Sequence, residues 1–377
     1  NLAVHGYVNA DGLLREFASA VEAYEGDPDD PRLFPILFNL AALYQYRAEM
    51  DRAVPLAGQI LRIAEADGDA SMRIAGHAIF GSVSAFRGEL EAGLEHLDRA
   101  IEIFGREGYH PRGFHTGVHP AISSHTTSAL LLWLSGRPDT AVARAKAGIA
   151  AAEALGQPYV RAFALFHAGL LDVWRREPEA VAERAREVTA LAREHGLRLW
   201  LALGTCLGGA ADALVGRGEA AVAGVDAGLE MYRDLTTPPV FWPFLQFFRA
   251  AALASTGRLR AAVEILDAVL EAAGARSGAP YLDFYLMKGD LLLASGGDPR
   301  VSAGLYRQAR EIAAASEARM PRLRAQARLA RLAMMSGGPA DGELAELGRL
   351  YAAFDEGLRT ADLVEARQLL EAAGAPA

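Results

Sequence analysis

Small side chains recur along this chain at an interval of about 40 residues, in two separate columns. The first column lies five residues after each turn position, at Ala53, Gly93, Ala141, Val181, Ala221 and Ala262, and more loosely at Ala303, where two residues are added around Gly297. The second lies seven residues before the same turns: Ala41, Gly81, Ala129, Gly169, Gly209, Ala250 and Gly289. Two antiparallel helices can approach closely at a fixed crossing point only where both carry small residues. The two columns therefore predict a repeated helical hairpin, in which each unit contacts mainly its neighbours.

The predicted fold is all-α, an α-α superhelix (solenoid) of about eight tetratricopeptide-like hairpins. The period exceeds the ~34 residues of the standard tetratricopeptide unit, so we expect longer helices in each hairpin. Composition agrees, because 51% hydrophobic residues with only 8% aromatic residues suit interlocking helices better than a β-sheet. A length of 377 residues by itself suggests two or three globular domains, but the regular repeat favours one continuous array instead.

The predicted domain organisation is a single repeat array over residues 1–377. Residues 1–30 are interpreted as an N-terminal cap or partial repeat. Residues 105–120 are interpreted as a loop insertion, because the interval from Gly93 to Ala141 is 48 residues and this stretch is rich in Gly, Pro and His. Residues 355–377 are interpreted as a C-terminal capping helix with a polar outer face. The chain begins with Asn rather than Met, so we expect a fragment of a longer protein.

Four of the nine histidines, His110, His115, His119 and His125, fall within sixteen residues. Imidazoles four residues apart on a helix can share a metal ion. Pro120 takes His119 out of helical geometry, however, and no Cys or carboxylate lies between the four. We therefore predict no metal site and interpret the segment as a solvated loop.

Residues for catalysis are not apparent. The chain has two lysines, Lys146 and Lys288, and neither lies in the Gly-Lys-Ser or Gly-Lys-Thr context of a phosphate-binding loop. No nucleophile is paired with a recognisable base, and the charged turn at Arg175, Arg176 and Glu177 is interpreted as solvated. We predict no catalytic residue and no cofactor, and the net charge of −9 argues against direct nucleic-acid contact.

Aromatic residues provide the strongest indication of a binding site. Phe163, Phe166, Phe244 and Phe247 lie on the first helices of hairpins four and six, on the face that lines the inner groove of tetratricopeptide arrays. A groove carrying these rings suits a peptide or an apolar ligand. The alternative is that the rings are buried between neighbouring hairpins as core.

Several stretches resemble the C-terminal repeat region of bacterial signal-transduction ATPases. They include AFALFHAGLLDVWRREPEAV (162–181), LYRQAREIAAASEARMPRLRAQARLARL (305–332) and LYAAFDEGLRTADLVEARQLLEAAG (350–374). In that family a class III adenylate or guanylate cyclase domain, or a DNA-binding domain, precedes an ATPase and then the repeats. The resemblance implies a non-catalytic regulatory arm that binds a protein partner, or the ATPase or output domain of its own chain, with a small-molecule effector also open.

The sequence is therefore compatible with two functions: a sensor and protein-interaction domain of a signalling ATPase, or the small-molecule receptor domain of a transcription activator. The single cysteine, Cys206, cannot form an internal disulfide, which predicts a reducing, cytoplasmic setting. No signal peptide and no membrane-spanning stretch is evident in the sequence.

Overall fold

Helices account for nearly all of the described structure. The computed structural model describes residues 10–47, 49–111, 118–233, 235, 241–274, 281–337 and 340–374. These ranges contain eighteen α-helices, a 3-10 helix at Pro31–Leu33 and no β-strand. The helices are α1 (Ala10–Glu22), α2 (Phe34–Tyr46), α3 (Met50–Asp67), α4 (Ala70–Arg87), α5 (Leu90–Glu107), α6 (Pro120–Leu134), α7 (Pro138–Ala154), α8 (Pro158–Trp174), α9 (Pro178–Glu194), α10 (Arg198–Leu214), α11 (Gly218–Arg233), α12 (Trp242–Ser255), α13 (Leu259–Ala273), α14 (Leu282–Ala294), α15 (Pro299–Ala315), α16 (Arg319–Met335), α17 (Asp341–Tyr351) and α18 (Ala361–Ala372).

These helices form eight consecutive hairpins, from α2 and α3 as hairpin one to α16 and α17 as hairpin eight, with α1 before them and α18 after them. The prediction of an all-α superhelix of about eight hairpins is confirmed. Within the predicted insertion at 105–120, α5 continues to Glu107, and residues 112–117 lie outside the described residues. No described helix is long and apolar enough to cross a bilayer.

The turn between α6 and α7 has the sequence Gly-Arg-Pro-Asp, and its backbone conformation explains the glycine and the proline. Gly136 has φ of 82°, in the left-handed region that favours glycine, and the Arg137 N–H donates to the Leu132 carbonyl at 2.8 Å. Pro138 then begins α7, at a position where a missing N–H costs nothing.

The small-residue columns lie where the two helices of a hairpin cross. A Cβ atom added to Gly81 would lie 2.7 Å from the carbonyl oxygen of Gly93, and one added to Gly209 would lie 2.8 Å from that of Ala221. Such contacts leave no room for a side chain, and every member of both columns is buried. The close approach predicted from the columns is therefore present.

The first helices of the hairpins form one layer of the superhelix. From hairpin two to hairpin six, the first helix of each hairpin contacts the first helix of the next, while successive second helices touch far less. The layer with closer neighbours has the smaller radius, so the first helices line the inner side.

The superhelix also contacts itself after one turn. Helix α16 of hairpin eight packs on α6 of hairpin three, far back along the chain. One apolar core combines Trp133 and Leu171 of hairpins three and four with Leu323 and Leu363 of hairpin eight and α18. Hairpins three to eight and α18 therefore form a closed ring.

Candidate functional site

Aromatic rings gather on the first helices of hairpins four and five and at the start of hairpin six. Trp200 of α10 is central, with its ring centroid 5.4 Å from Tyr159, 5.8 Å from Phe163 and 5.9 Å from Phe166. Phe241, just before α12, contacts Phe166 edge-on at 5.3 Å. We call these five residues the aromatic cluster. Their edge-to-face geometry is the favoured one for ring pairs and stabilises the junction of three hairpins.

His167 extends the aromatic cluster. Its ring lies 4.1 Å from that of Phe163, and its Nδ1 bonds to the carbonyl oxygen of Phe163 at 2.8 Å, one helical turn earlier. Burial lowers the pKa of His167 to about 4, although that hydrogen bond acts in the opposite direction. The imidazole is therefore neutral at pH 7, with the proton on Nδ1, and it presents an uncharged edge beside the rings.

The four predicted site residues lie in two places. Phe163 and Phe166 meet in the aromatic cluster, where Phe166 is 0% exposed and Phe163 is partly exposed. Phe247 packs on Phe284 of hairpin seven at 5.1 Å, and Phe244 is half-buried one turn earlier on α12. Phe166 has the burial of a core residue, while the other three retain some exposed surface. A binding role for the set stays a prediction.

The histidines that lie close together in the sequence have different surroundings in the structure. His110 is exposed, and its backbone N–H donates to the Ser71 hydroxyl at 2.8 Å. His119 lies edge-on to Phe104 and Tyr109, whereas His125 is buried, and burial lowers the pKa of both to about 4. His115 lies outside the described residues. Over the part of the chain that the structure describes, no three His, Cys, Asp or Glu side chains are placed to hold a metal ion.

A buried arginine, Arg324, is at the centre of the ring closure. Its guanidinium donates to Asp283 of α14 at 2.9 Å, to Asp362 of α18 at 2.9 Å and to the carbonyl oxygen of Trp174 at the end of α8. It also lies 5.4 Å from the centre of the Trp133 ring of α6. Only 8% of the side chain is exposed, so one buried cation ties four separate helices together.

A second arginine joins the same contact from hairpin four. Arg176, which has an unusual positive φ of 60°, donates to Asp362 at 2.8 Å and to Glu365 at 3.1 Å. Arg331 of α16 also pairs with Glu365. We call Arg176, Arg324, Asp283, Asp362 and Glu365 the closure cluster.

The closure cluster corrects two interpretations made from the sequence. The turn at Arg176 is not simply solvated, because it bonds to the C-terminal helix. Asp362 is not on a polar outer face, because it is 6% exposed and paired with two arginines. The signal available in the sequence is the density of arginines on α16, which calls for acidic partners elsewhere in the chain.

The charges of the closure cluster reinforce one another. Burial by itself raises the pKa of Asp362, but Arg324 and Arg176 outweigh it and hold that pKa below its usual range. Glu365 behaves in the same way with Arg331 and Arg176. Both carboxylates are therefore ionised at neutral pH, and the contact works as a network of ion pairs rather than of neutral hydrogen bonds.

The segment before α18 adds a capping interaction with the start of α7, in hairpin three. The Glu356 carboxylate accepts from the backbone N–H of Thr140 at 3.1 Å and from its hydroxyl at 2.7 Å, in the first turn of α7. In return, the backbone N–H of Gly357 donates to Asp139 at 2.9 Å. An anionic group at a helix N-terminus is favourable, and here residues 216 positions away along the chain supply it.

Two solved structures with TM-scores above 0.5 support the fold. A Rap protein in complex with the competence and sporulation factor aligns with a TM-score of 0.56 and 13% identity, over 98% of this chain and 96% of the other. The human IFIT1 dimer with PPP-AAAA aligns with a TM-score of 0.51 and 14% identity, over 96% and 76%. A STAND ATPase with a tetratricopeptide repeat sensor from Pyrococcus horikoshii aligns with a TM-score of 0.42 and 13% identity, over 97% and 55%.

By sequence, the chain matches no protein-family model and no curated protein. The likeness to solved structures, at these identities, concerns the fold alone. The chain has the fold of tetratricopeptide-like helical repeat proteins.

Proposed function

We propose that this chain is a non-catalytic sensor and protein-interaction domain whose ligand state controls closure of the ring. The observation that carries the proposal is the closure cluster, because it gives the superhelix a discrete contact to make or break. A ligand that binds one curvature better than another shifts the population between closed and open rings. Such a ligand acts only through its difference in affinity for the two states.

The neighbouring structures support a regulatory role at a coarse level. The Rap protein, crystallised with the competence and sporulation factor, shares this fold over nearly the whole chain. The finer proposal, that the domain belongs to a multidomain bacterial signalling ATPase with a cyclase or DNA-binding output, rests on the sequence resemblance. In that arrangement the closed ring presents one surface to the ATPase or output domain and the open ring another, without nucleic-acid contact by the repeats.

The second candidate function is a small-molecule receptor domain of a transcription activator. The partly exposed rings of Phe163, Phe244 and Phe247 on first helices favour it, because the inner side of a ring shields an apolar ligand from water. The neutral edge of His167 would add one polar contact to such a site.

The deciding experiment measures closure and binding together. Spin labels at Glu179→Cys and Arg367→Cys, both exposed positions on opposite sides of the closure, report the distance by double electron–electron resonance. Cys206 does not compete for the label, because it is buried and burial raises its thiol pKa to about 12.

Purified protein is then titrated with nucleotides, sugars, small metabolites and short peptides. The proposal predicts that at least one class changes the distance distribution without any turnover. Loss of that response in Phe163→Ala and Phe244→Ala would favour the receptor function. Nucleotide hydrolysis by the pure chain, or binding that leaves the distance unchanged, would contradict the sensor proposal.

A further inference from the structure

A cleft between α9 and α10 lies outside the aromatic cluster and the closure cluster. It has a volume of about 370 Å³, and α9 and α10 supply most of its lining. The two helices pack tightly near Gly204, where an added Cβ would lie 2.9 Å from Thr189. They separate toward Gly208, where the nearest atom to an added Cβ is Ala185 at 3.8 Å. The floor of the open part is small, because Ala182, Ala185, Gly208 and Ala211 form it.

From this cleft we propose a second docking surface, one that binds an acidic amphipathic helix of a partner protein. This inference is independent of the proposed function, since it concerns neither the inner side of the ring nor its closure.

The charged side chains along the cleft indicate the charge of the partner. Arg186 and Arg193 lie along the α9 edge of the cleft, both exposed, and neither forms an ion pair with any described residue. They are seven residues apart, which is two helical turns or about 10.5 Å. At the other end of the cleft, Arg217 forms an ion pair with Asp212 at 3.2 Å. Glu179 is the one carboxylate of the lining without an ion pair among the described residues, so the two unpaired arginines leave the cleft with a positive balance in a chain of net charge −9, which favours an acidic partner.

The backbone favours a helix over an extended strand as the occupant. Both walls are α-helices, whose N–H and C=O groups are paired within each helix, so no strand edge is available for β-augmentation. Small residues on the floor instead admit the side-chain ridge of a helix. The other face of α10 shows the same packing internally, because α11 crosses it so closely that a Cβ on Gly228 would lie 2.7 Å from the Ala202 carbonyl oxygen.

Exposed apolar surface completes the site at its open end. Val215 is 44% exposed and lines the cleft, and Leu214 beside it is 38% exposed. A partner helix with glutamates seven residues apart, and an apolar residue beyond them on the same face, would contact both arginines and Val215.

The test uses a fluorescein-labelled, alanine-rich helical peptide of about 18 residues, long enough to hold helical structure. It carries glutamates seven residues apart and one leucine on the same face. A second peptide has lysines in place of the glutamates. Fluorescence anisotropy with the full chain should give saturable binding for the glutamate peptide and at least about tenfold weaker binding for the lysine peptide.

The variants locate the binding. The double variant Arg186→Glu, Arg193→Glu should weaken binding of the glutamate peptide by about tenfold or more and strengthen binding of the lysine peptide. The double variant Arg260→Glu, Arg300→Glu, at two highly exposed arginines elsewhere, is the matched control. It should still bind the glutamate peptide more tightly than the lysine peptide. Gly208→Leu should block binding by filling the cleft, whereas Gly304→Leu, where an added Cβ meets nothing within 4 Å, should not.

Absence of saturable binding by the glutamate peptide would overturn the proposal. Equal affinity for the two peptides, or an unchanged affinity in the Arg186 and Arg193 double variant, would overturn it as well. Both arginines are exposed, so this variant keeps the test decisive even if Gly208→Leu fails to fold.

Discussion

At the scale of single residues, Arg324 shows how one buried side chain can define a tertiary contact. A buried cation is costly unless hydrogen-bonded carboxylates surround it. Here burial lowers the pKa of Arg324, but Asp362 and Asp283 raise it by more, so the guanidinium stays charged. Its contact with the Trp133 ring adds a cation–π interaction in a desolvated place.

Arg324→Met should therefore be strongly destabilising, by about 3–5 kcal/mol, because it leaves Asp283 without its cation and the buried Asp362 with Arg176 alone. Urea unfolding followed by circular dichroism measures the change. Adding Asp283→Asn and Asp362→Asn to the same chain should recover part of the loss, since the orphaned charges are then gone. Equal stability of Arg324→Met and of the exposed control Arg260→Met would refute this role.

Three histidines make the stability of the protein depend on pH in a defined window. Burial lowers the pKa of His119, His125 and His167 to about 4, below the value of about 6.5 in an unfolded chain. Between these values the unfolded chain binds more protons, so stability falls as the pH falls from about 6.5 toward 4.

We expect a lower melting temperature at pH 5 than at pH 7, and a smaller difference in His167→Gln. His195→Gln, at an exposed histidine, is the control and should keep the full difference. A pH dependence that His167→Gln leaves unchanged would show that this imidazole does not contribute.

At the scale of helices and turns, the hairpins were predictable and the turn before α18 was not. Two columns of small residues and a Gly-Arg-Pro-Asp turn report contacts within one hairpin, so a local pattern contains them. Glu356 and Gly357 instead bond to the start of α7, across a full superhelical turn. No periodicity in the sequence links positions so far apart, because the pitch of a solenoid accumulates from small rotations between hairpins.

The binding site was predictable only in part, for a related reason. Helical periodicity placed Phe163 and Phe166 on first helices, but it does not give the depth of each ring. That depth depends on Trp200 and Phe241, which the neighbouring hairpins contribute. The prediction therefore grouped a fully buried ring with three partly exposed ones.

The capping role of Glu356 can be tested by Glu356→Ala. Loss of an acceptor at a helix N-terminus costs about 1 kcal/mol, here felt by α7 rather than by the segment that contains the mutation. Amide hydrogen exchange should become faster in the first turn of α7. Asp355→Ala, at the exposed neighbouring carboxylate, should leave that exchange rate unchanged, and similar rates in both variants would exclude the cap.

At the scale of the whole molecule, two independent contacts hold the ring closed: the closure cluster and the Glu356 cap. The closure cluster joins hairpin four to the C-terminal helices, and the Glu356 cap joins hairpin three to the segment before α18. Removing both should therefore open the ring while leaving each hairpin folded.

Arg324→Met combined with Glu356→Ala should increase the radius of gyration in small-angle X-ray scattering at neutral pH, with helix content nearly unchanged by circular dichroism. The loss of one of its two arginines would make the buried Asp362 favour the open state, since opening returns it to water. Scattering identical to that of the wild type would mean that the remaining contacts, the Arg176 ion pairs and the apolar contacts of Trp133 and Leu323, are enough to keep the ring closed.

Closure also bears on the order in which the chain folds. Contacts within and between adjacent hairpins are local, and chains dominated by local contacts fold fast. The bonds of Thr140 to Glu356 and of Arg176 to Asp362 join residues 216 and 186 positions apart, so they close a very long loop of chain. The hairpins can form first, and the last slow step of folding is then the docking of α18, which follows all eight hairpins along the chain, on hairpins that already exist.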